Sequence, residues 1–131
     1  MTMTHPKLNP STIAAPAGAY SHGVIAAASG EWLYISGQVG MLPDGTTANG
    51  FGEQARVAWT NLVAILKAAD MDVGHLVKVT TFMTDAGDLK DLRQVRSSFL
   101  GDARPASTLL IVKALAGPEW LIEVEAVAHR S

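Results

Sequence analysis

Hydrophobic and polar positions switch repeatedly between helical spacing and strand alternation along this chain. In residues 51–70, FGEQARVAWTNLVAILKAAD, the apolar Ala55, Ala58, Trp59, Leu62, Leu66 and Ala69 recur at helical spacing. This predicts an amphipathic helix. Glu53 near its start and Lys67 near its end suit the helix dipole. Residues 88–100, DLKDLRQVRSSFL, predict a second helix with Asp88 as N-cap and a stripe of Leu89, Leu92, Val95 and Phe99. Residues 75–85 alternate, with Val77, Val79, Thr81 and Met83 on one face and Lys78, Thr80, Phe82 and Thr84 on the other. AYSHGVIAAAS, residues 19–29, reads as a strand of small residues. A Ser29-Gly30 turn makes EWLYISGQV, residues 31–39, its predicted hairpin partner. STLLIVKAL, residues 107–115, is a strand with Pro105 at its entrance. After Gly117-Pro118, LIEVEAVA, residues 121–128, is the last strand, with Ile122, Val124, Ala126 and Ala128 on one face.

The predicted order is β-β-α-β-α-β-β. Two helices cover only one face of such a sheet, so the expected class is an α+β two-layer domain. Residues 1–17, rich in Pro, Thr and Ala, read as a loosely held arm before a single domain of residues 18–131. Leu109, Ile111 and Val127 are expected on the uncovered face, which calls for self-association.

Composition narrows the class. The chain has 131 residues, 48% hydrophobic and 17% charged, which fits one core. The ten basic and twelve acidic residues leave a net charge of −2. The nearest approach to a basic stripe is Lys90, Arg93 and Arg96, interrupted by Asp91, so a nucleic-acid partner is not expected. Without cysteine, disulfides, thiol catalysis and zinc–thiolate sites are excluded. No apolar run spans a bilayer and the start is not a secretory signal, so a cytoplasmic protein is expected.

Candidate chemistry is sparse. His5, His22, His75 and His129 lack metal-ligand spacing and read as isolated surface or loop residues, with no metal expected. Glu123 and Glu125 sit either on a solvated strand face or in a cleft, holding a water or a proton.

Several phrases resemble the Rid (YjgF-like) family of reactive-intermediate deaminases. These are Ala19-Tyr20-Ser21, Tyr34-Ile35-Ser36-Gly37-Gln38, and Gln54 with Asn61. Val77-Lys78-Val79-Thr80 with Asp85, Pro105-Ala106, and Glu123-Val124-Glu125-Ala126-Val127-Ala128 complete the set. Their order covers residues 18 to 128. The resemblance implies a chorismate-mutase-like subunit and a homotrimer around a central sheet barrel. It implies clefts between subunits that take small carboxylates, no metal or organic cofactor, and hydrolysis of enamines and imines such as 2-aminoacrylate. It also implies that Glu125 positions the water, that Tyr20, Ser36 and Gly37 line the pocket, and that an arginine in a Pro-Ala-Arg-Ser phrase binds the substrate carboxylate.

This chain departs from the family at that phrase, reading Pro105-Ala106-Ser107-Thr108. Ser107 is neutral and smaller, so it cannot make a bidentate charge-assisted bond. Arg104 lies three residues earlier, roughly 10 Å away along a strand and on the wrong parity, and reads as a rim residue. Arg93 stands where the family often has asparagine. It is either the compensating cation or an exposed helix charge. His22 replaces a glutamine common in the family and reads as a loop-edge residue. The expectation is a kept fold and cleft with weak or absent 2-aminoacrylate deamination. The competing functions are a hydrolase of another small metabolite, a binding or regulatory trimer, and an RNA-acting protein.

Overall fold

The computed structural model describes residues 5–131; residues 1–4 of the predicted arm lie outside them. Chain order is β1 (Lys7–Leu8), β2 (Gly23–Val24), β3 (Glu31–Val39), α1 (Phe51–Ala68), β4 (Leu76–Met83), α2 (Leu89–Leu100), β5 (Ala106–Ile111) and β6 (Ile122–Arg130), with short 3-10 turns before β4 and α2. The four long strands form one sheet in the order β3-β6-β4-β5. Only β4 and β5 run parallel; β6 is antiparallel to both neighbours. Both helices cover one face, so the α+β two-layer class follows as expected.

The core is where the periodicities place it. Ala55, Ala58, Trp59, Leu62 and Leu66 of α1 are fully buried, as are Val124, Ile122 and Ala128 of β6. On α2 the buried residues are Leu92, Val95 and Leu100, while Leu89 and Phe99 of the expected stripe are only partly buried. The helices are joined by stacking of Trp59 on Phe99, with ring centroids 6.0 Å apart. Asp88 occupies the N-cap of α2 but makes no side-chain cap bond. The capping role falls one turn earlier, where the Gly87 amide donates to Asp85 Oδ1 at 2.8 Å.

The loop after β3 closes on α1 through one backbone contact. A Cβ on Gly40 would lie 2.5 Å from the Gln54 Cα, so only glycine lets the loop approach the helix. The buried Gln54 amide then ties three segments together. Its Nε2 donates to the carbonyls of Ala48 (3.2 Å) and Glu119 (3.0 Å), and its Oε1 accepts from the Leu121 amide (2.8 Å).

Three expectations are corrected. Residues 19–29 are not a long strand and do not form a hairpin with β3. Only Gly23–Val24 is strand, and it pairs with Lys7–Leu8; β3 pairs with β6 instead. The physical cause is local. Ser21 is committed elsewhere, its amide to the Pro105 carbonyl at 3.1 Å and its hydroxyl to the Arg104 carbonyl at 2.6 Å. The alanines that follow offer little side-chain area to hold a strand.

Leu109 and Ile111 share the helix face, because they register with Thr81 and Met83 of β4. Thr108 and Leu110 occupy the open face beside Val127, and β5 ends at Ile111.

The histidines are not all surface groups: His5, His75 and His129 are buried. His5 Nε2 lies 3.1 Å from the His129 carbonyl and 3.4 Å from that of His75, and the rings of His129 and Trp32 pack at 4.7 Å. Their separation along the chain hid this cluster. His22 is exposed.

Candidate functional site

The sheet has two free edges, β5 and β3, and each carries part of the expected site. At the β5 edge a cavity of about 350 Å³ is lined by Tyr20, Leu89, Arg93, Arg96, Ser107 and Leu109. Ser107 enters it from the helix face of β5, since it registers with the buried Val79. Arg93 and Arg96 enter from α2, one turn apart. Tyr20 arrives on the loop that Ser21 fastens to the entrance of β5, and its hydroxyl accepts a 3.2 Å bond from the Ala17 amide. Three residues singled out from the sequence thus meet in one place: Tyr20, Arg93 and Ser107.

Arg96 is the residue the sequence reading missed as a site group. Its spacing from Arg93 was visible, but the pair looked like an interrupted surface run. Burial, and next the charge of Arg93, pull its guanidinium below the usual arginine range. Its Nε is buried without a hydrogen-bond partner. Among the described residues, Arg56 pairs with Glu53 and Arg130 with Glu31, while Arg93 and Arg96 have no carboxylate partner.

At the β3 edge a second cavity, about 460 Å³, is lined by Gly37, Met41, Asn61, Trp120 and Glu123. The Glu123 carboxylate occupies the space beside Gly37, where a Cβ would lie 1.9 Å from Oε2. A side chain at position 37 would displace that carboxylate. Ser36 is exposed next to this cavity, and its carbonyl accepts from Gln38 Nε2 at 3.0 Å. Glu125 is exposed two residues beyond Glu123 on the open face and lines neither cavity.

Arg104 belongs to neither. Its Nη1 donates to the carbonyls of Gly101 and Ala103, both at 2.8 Å, and it borders a third cavity of about 670 Å³ with His5 and Lys7. Although larger, that cavity holds none of Tyr20, Ser36, Gly37, Arg93, Ser107 and Glu125. No group of three or more His, Asp or Glu among the described residues is arranged to hold a metal ion. No helix among them is long and apolar enough to cross a membrane.

A sequence model of one family, described as Endoribonuclease L-PSP, matches residues 11–130. The chain belongs to this family, the Rid or YjgF-like proteins. Among its Rid relatives, the rat 2-iminobutanoate/2-iminopropanoate deaminase is 36% identical over 122 residues, 90% of this chain and 86% of that protein. A RutC family protein of Pyrococcus horikoshii is 32% identical over 117 residues, 88% and 90% of the two chains. The fold matches that of a Rid protein of unknown function from Yersinia pestis with a TM-score of 0.86 and 30% identity, covering 98% of this chain and 100% of that one. E. coli TdcF, crystallised with bound serine, matches with a TM-score of 0.73 and 29% identity over 88% and 91% of the chains.

Proposed function

We propose that this chain is a Rid-type hydrolase that binds a small carboxylate of imine or enamine type in clefts between the subunits of a homotrimer. The observation that carries the reading is the shared cavity of Tyr20, Arg93 and Ser107. The two half-sites lie on opposite edges of one sheet. A three-fold arrangement that sets the β5 edge of one subunit against the β3 edge of the next would join them. The open sheet face, with Tyr34 75% exposed and Leu110 also exposed, supplies apolar surface for such contact.

In this reading the guanidinium groups hold the substrate carboxylate, and the Tyr20 and Ser107 hydroxyls and the Gly37 backbone line the cleft. Glu125 holds a water and takes its proton as the oxygen bonds to the imine carbon. The proton returns to nitrogen to give a carbinolamine; its hydroxyl proton then passes to the amine as the carbon–nitrogen bond breaks and the carbonyl forms, and a keto acid and ammonia leave. No metal or organic cofactor takes part.

Ser107 in place of the family arginine argues that 2-aminoacrylate is a poor substrate. The test is ammonia release by purified protein from a panel of imines generated in situ. Release from one of them, lost in Glu125→Gln, supports the reading. Saturable keto-acid binding without product from any imine would replace it with a binding trimer.

A further inference from the structure

We infer that Arg93 and Arg96 form a paired clamp for a doubly charged anion, so that the cleft takes a small dicarboxylate or its imine rather than a monocarboxylate. The inference rests on the proposed ligand cleft but not on hydrolysis within it.

Four observations carry it. Both arginines line one cavity, one helical turn apart, Arg93 exposed and Arg96 partly buried. Neither has a carboxylate partner among the described residues, although the arginines at positions 56 and 130 do. The Arg96 Nε is buried with no acceptor. Two like charges, one of them partly dehydrated, therefore share one cavity with no carboxylate beside them, which favours entry of an anion. Burial and the neighbouring Arg93 charge both weaken the hold of Arg96 on its proton, which expresses the same uncompensated field.

Charge and shape then select the ligand. Each guanidinium is a planar fork matched to one carboxylate. A monocarboxylate would leave one positive charge unmatched, whereas a dicarboxylate neutralises both. Leu89 and Leu109 give the cavity apolar walls for the methylenes between two carboxylates. Ser107 leaves the room that an arginine there would fill. At about 350 Å³ the space is ample for a four- or five-carbon diacid.

The test is a binding titration of the full chain with 2-oxoglutarate and with 2-oxopentanoate, five-carbon keto acids that differ by one carboxylate. The wild-type protein should bind 2-oxoglutarate at least about tenfold more tightly. That preference should shrink as salt rises. In Arg93→Gln and Arg96→Gln the two affinities should converge to within about twofold, while Arg96→Lys keeps part of the difference. Equal wild-type affinities would overturn the clamp, as would an unchanged preference in Arg96→Gln. So would loss of subunit assembly in Arg96→Gln with the preference intact, which would assign the pair to subunit contacts. A retained preference in Glu125→Gln, even where no imine is hydrolysed, supports the clamp and separates its fate from that of the hydrolase reading.

Discussion

Ser107 and Glu125 face opposite sides of the same sheet. Thr80 registers with both Glu125 and Thr108, which puts those three side chains on the open face and turns Ser107 towards the helices. A ligand touching both positions therefore has to be reached by Glu125 from another subunit or around a sheet edge.

Glu125→Gln should lower ammonia release by about 100-fold on whichever imine is a substrate. The side chain is exposed, so stability should change by less than about 0.5 kcal/mol. Glu123→Gln should have a smaller effect on rate. Parallel rate and thermal-melt measurements on both variants check this, and equal loss in the two would argue against a distinct role for Glu125.

Placing the family arginine back is informative only if the local charge is adjusted. Ser107→Arg alone puts a third guanidinium beside Arg93 and Arg96, and should lower the melting temperature without raising activity. Ser107→Arg combined with Arg96→Ser should raise 2-aminoacrylate hydrolysis by at least about tenfold. A coupled assay for pyruvate formation measures the difference.

The Gly40–Gln54 contact should be intolerant of change. Gly40→Ala forces a methyl group into the α1 backbone and should cost about 3 kcal/mol. Gln54→Ala removes three bonds and strands the Leu121 amide, at a cost of about 2–3 kcal/mol. Urea denaturation gives both values, and a loss below about 1 kcal/mol in either would contradict the packing described.

Thr81 is fully buried and its hydroxyl has no partner. Thr81→Val keeps the shape and removes the unpaired polar atom, so it should stabilise the fold by about 1 kcal/mol. A lower urea midpoint in this variant would show that the hydroxyl is satisfied in solution.

Burial holds the His5 imidazole below its ordinary pKa of 6.5, with the charges of His129 and Lys7 acting in the same direction and the His75 and His129 carbonyls opposing it. The neighbouring His75 accepts at Nδ1 from the Asp72 amide at 3.0 Å. The unfolded segment takes up the proton first as pH falls. The His5 contribution is therefore complete above about pH 6.5 and is lost as pH drops towards the folded value. Amides of the Lys7–Leu8 and Gly23–Val24 pair should lose protection as pH falls below about 6.5, measured after correction for intrinsic exchange rates. His5→Gln should flatten that dependence.

Local periodicity alone determined the two helices, the buried stripe of α1, the inward Leu92 and Val95 of α2, and the alternation of β6 and of residues 79–83 in β4. Those patterns depend on residues within a few positions of each other. The identity of Ser107 was equally legible, since one residue in a recognisable phrase carries the charge or does not. Tertiary structure decided the rest. Whether β3 pairs with residues 19–29 or with β6 turns on a competition for backbone hydrogen bonds that no local spacing records. His5, His75 and His129 become buried together only because the sheet brings chain-distant segments into contact. Arg96 looked like surface charge until α2 packed beside β5 and set it, unpaired, in the cavity of Tyr20 and Ser107. Burial and charge compensation belong to the assembled environment, which is why the second arginine emerged only from the fold.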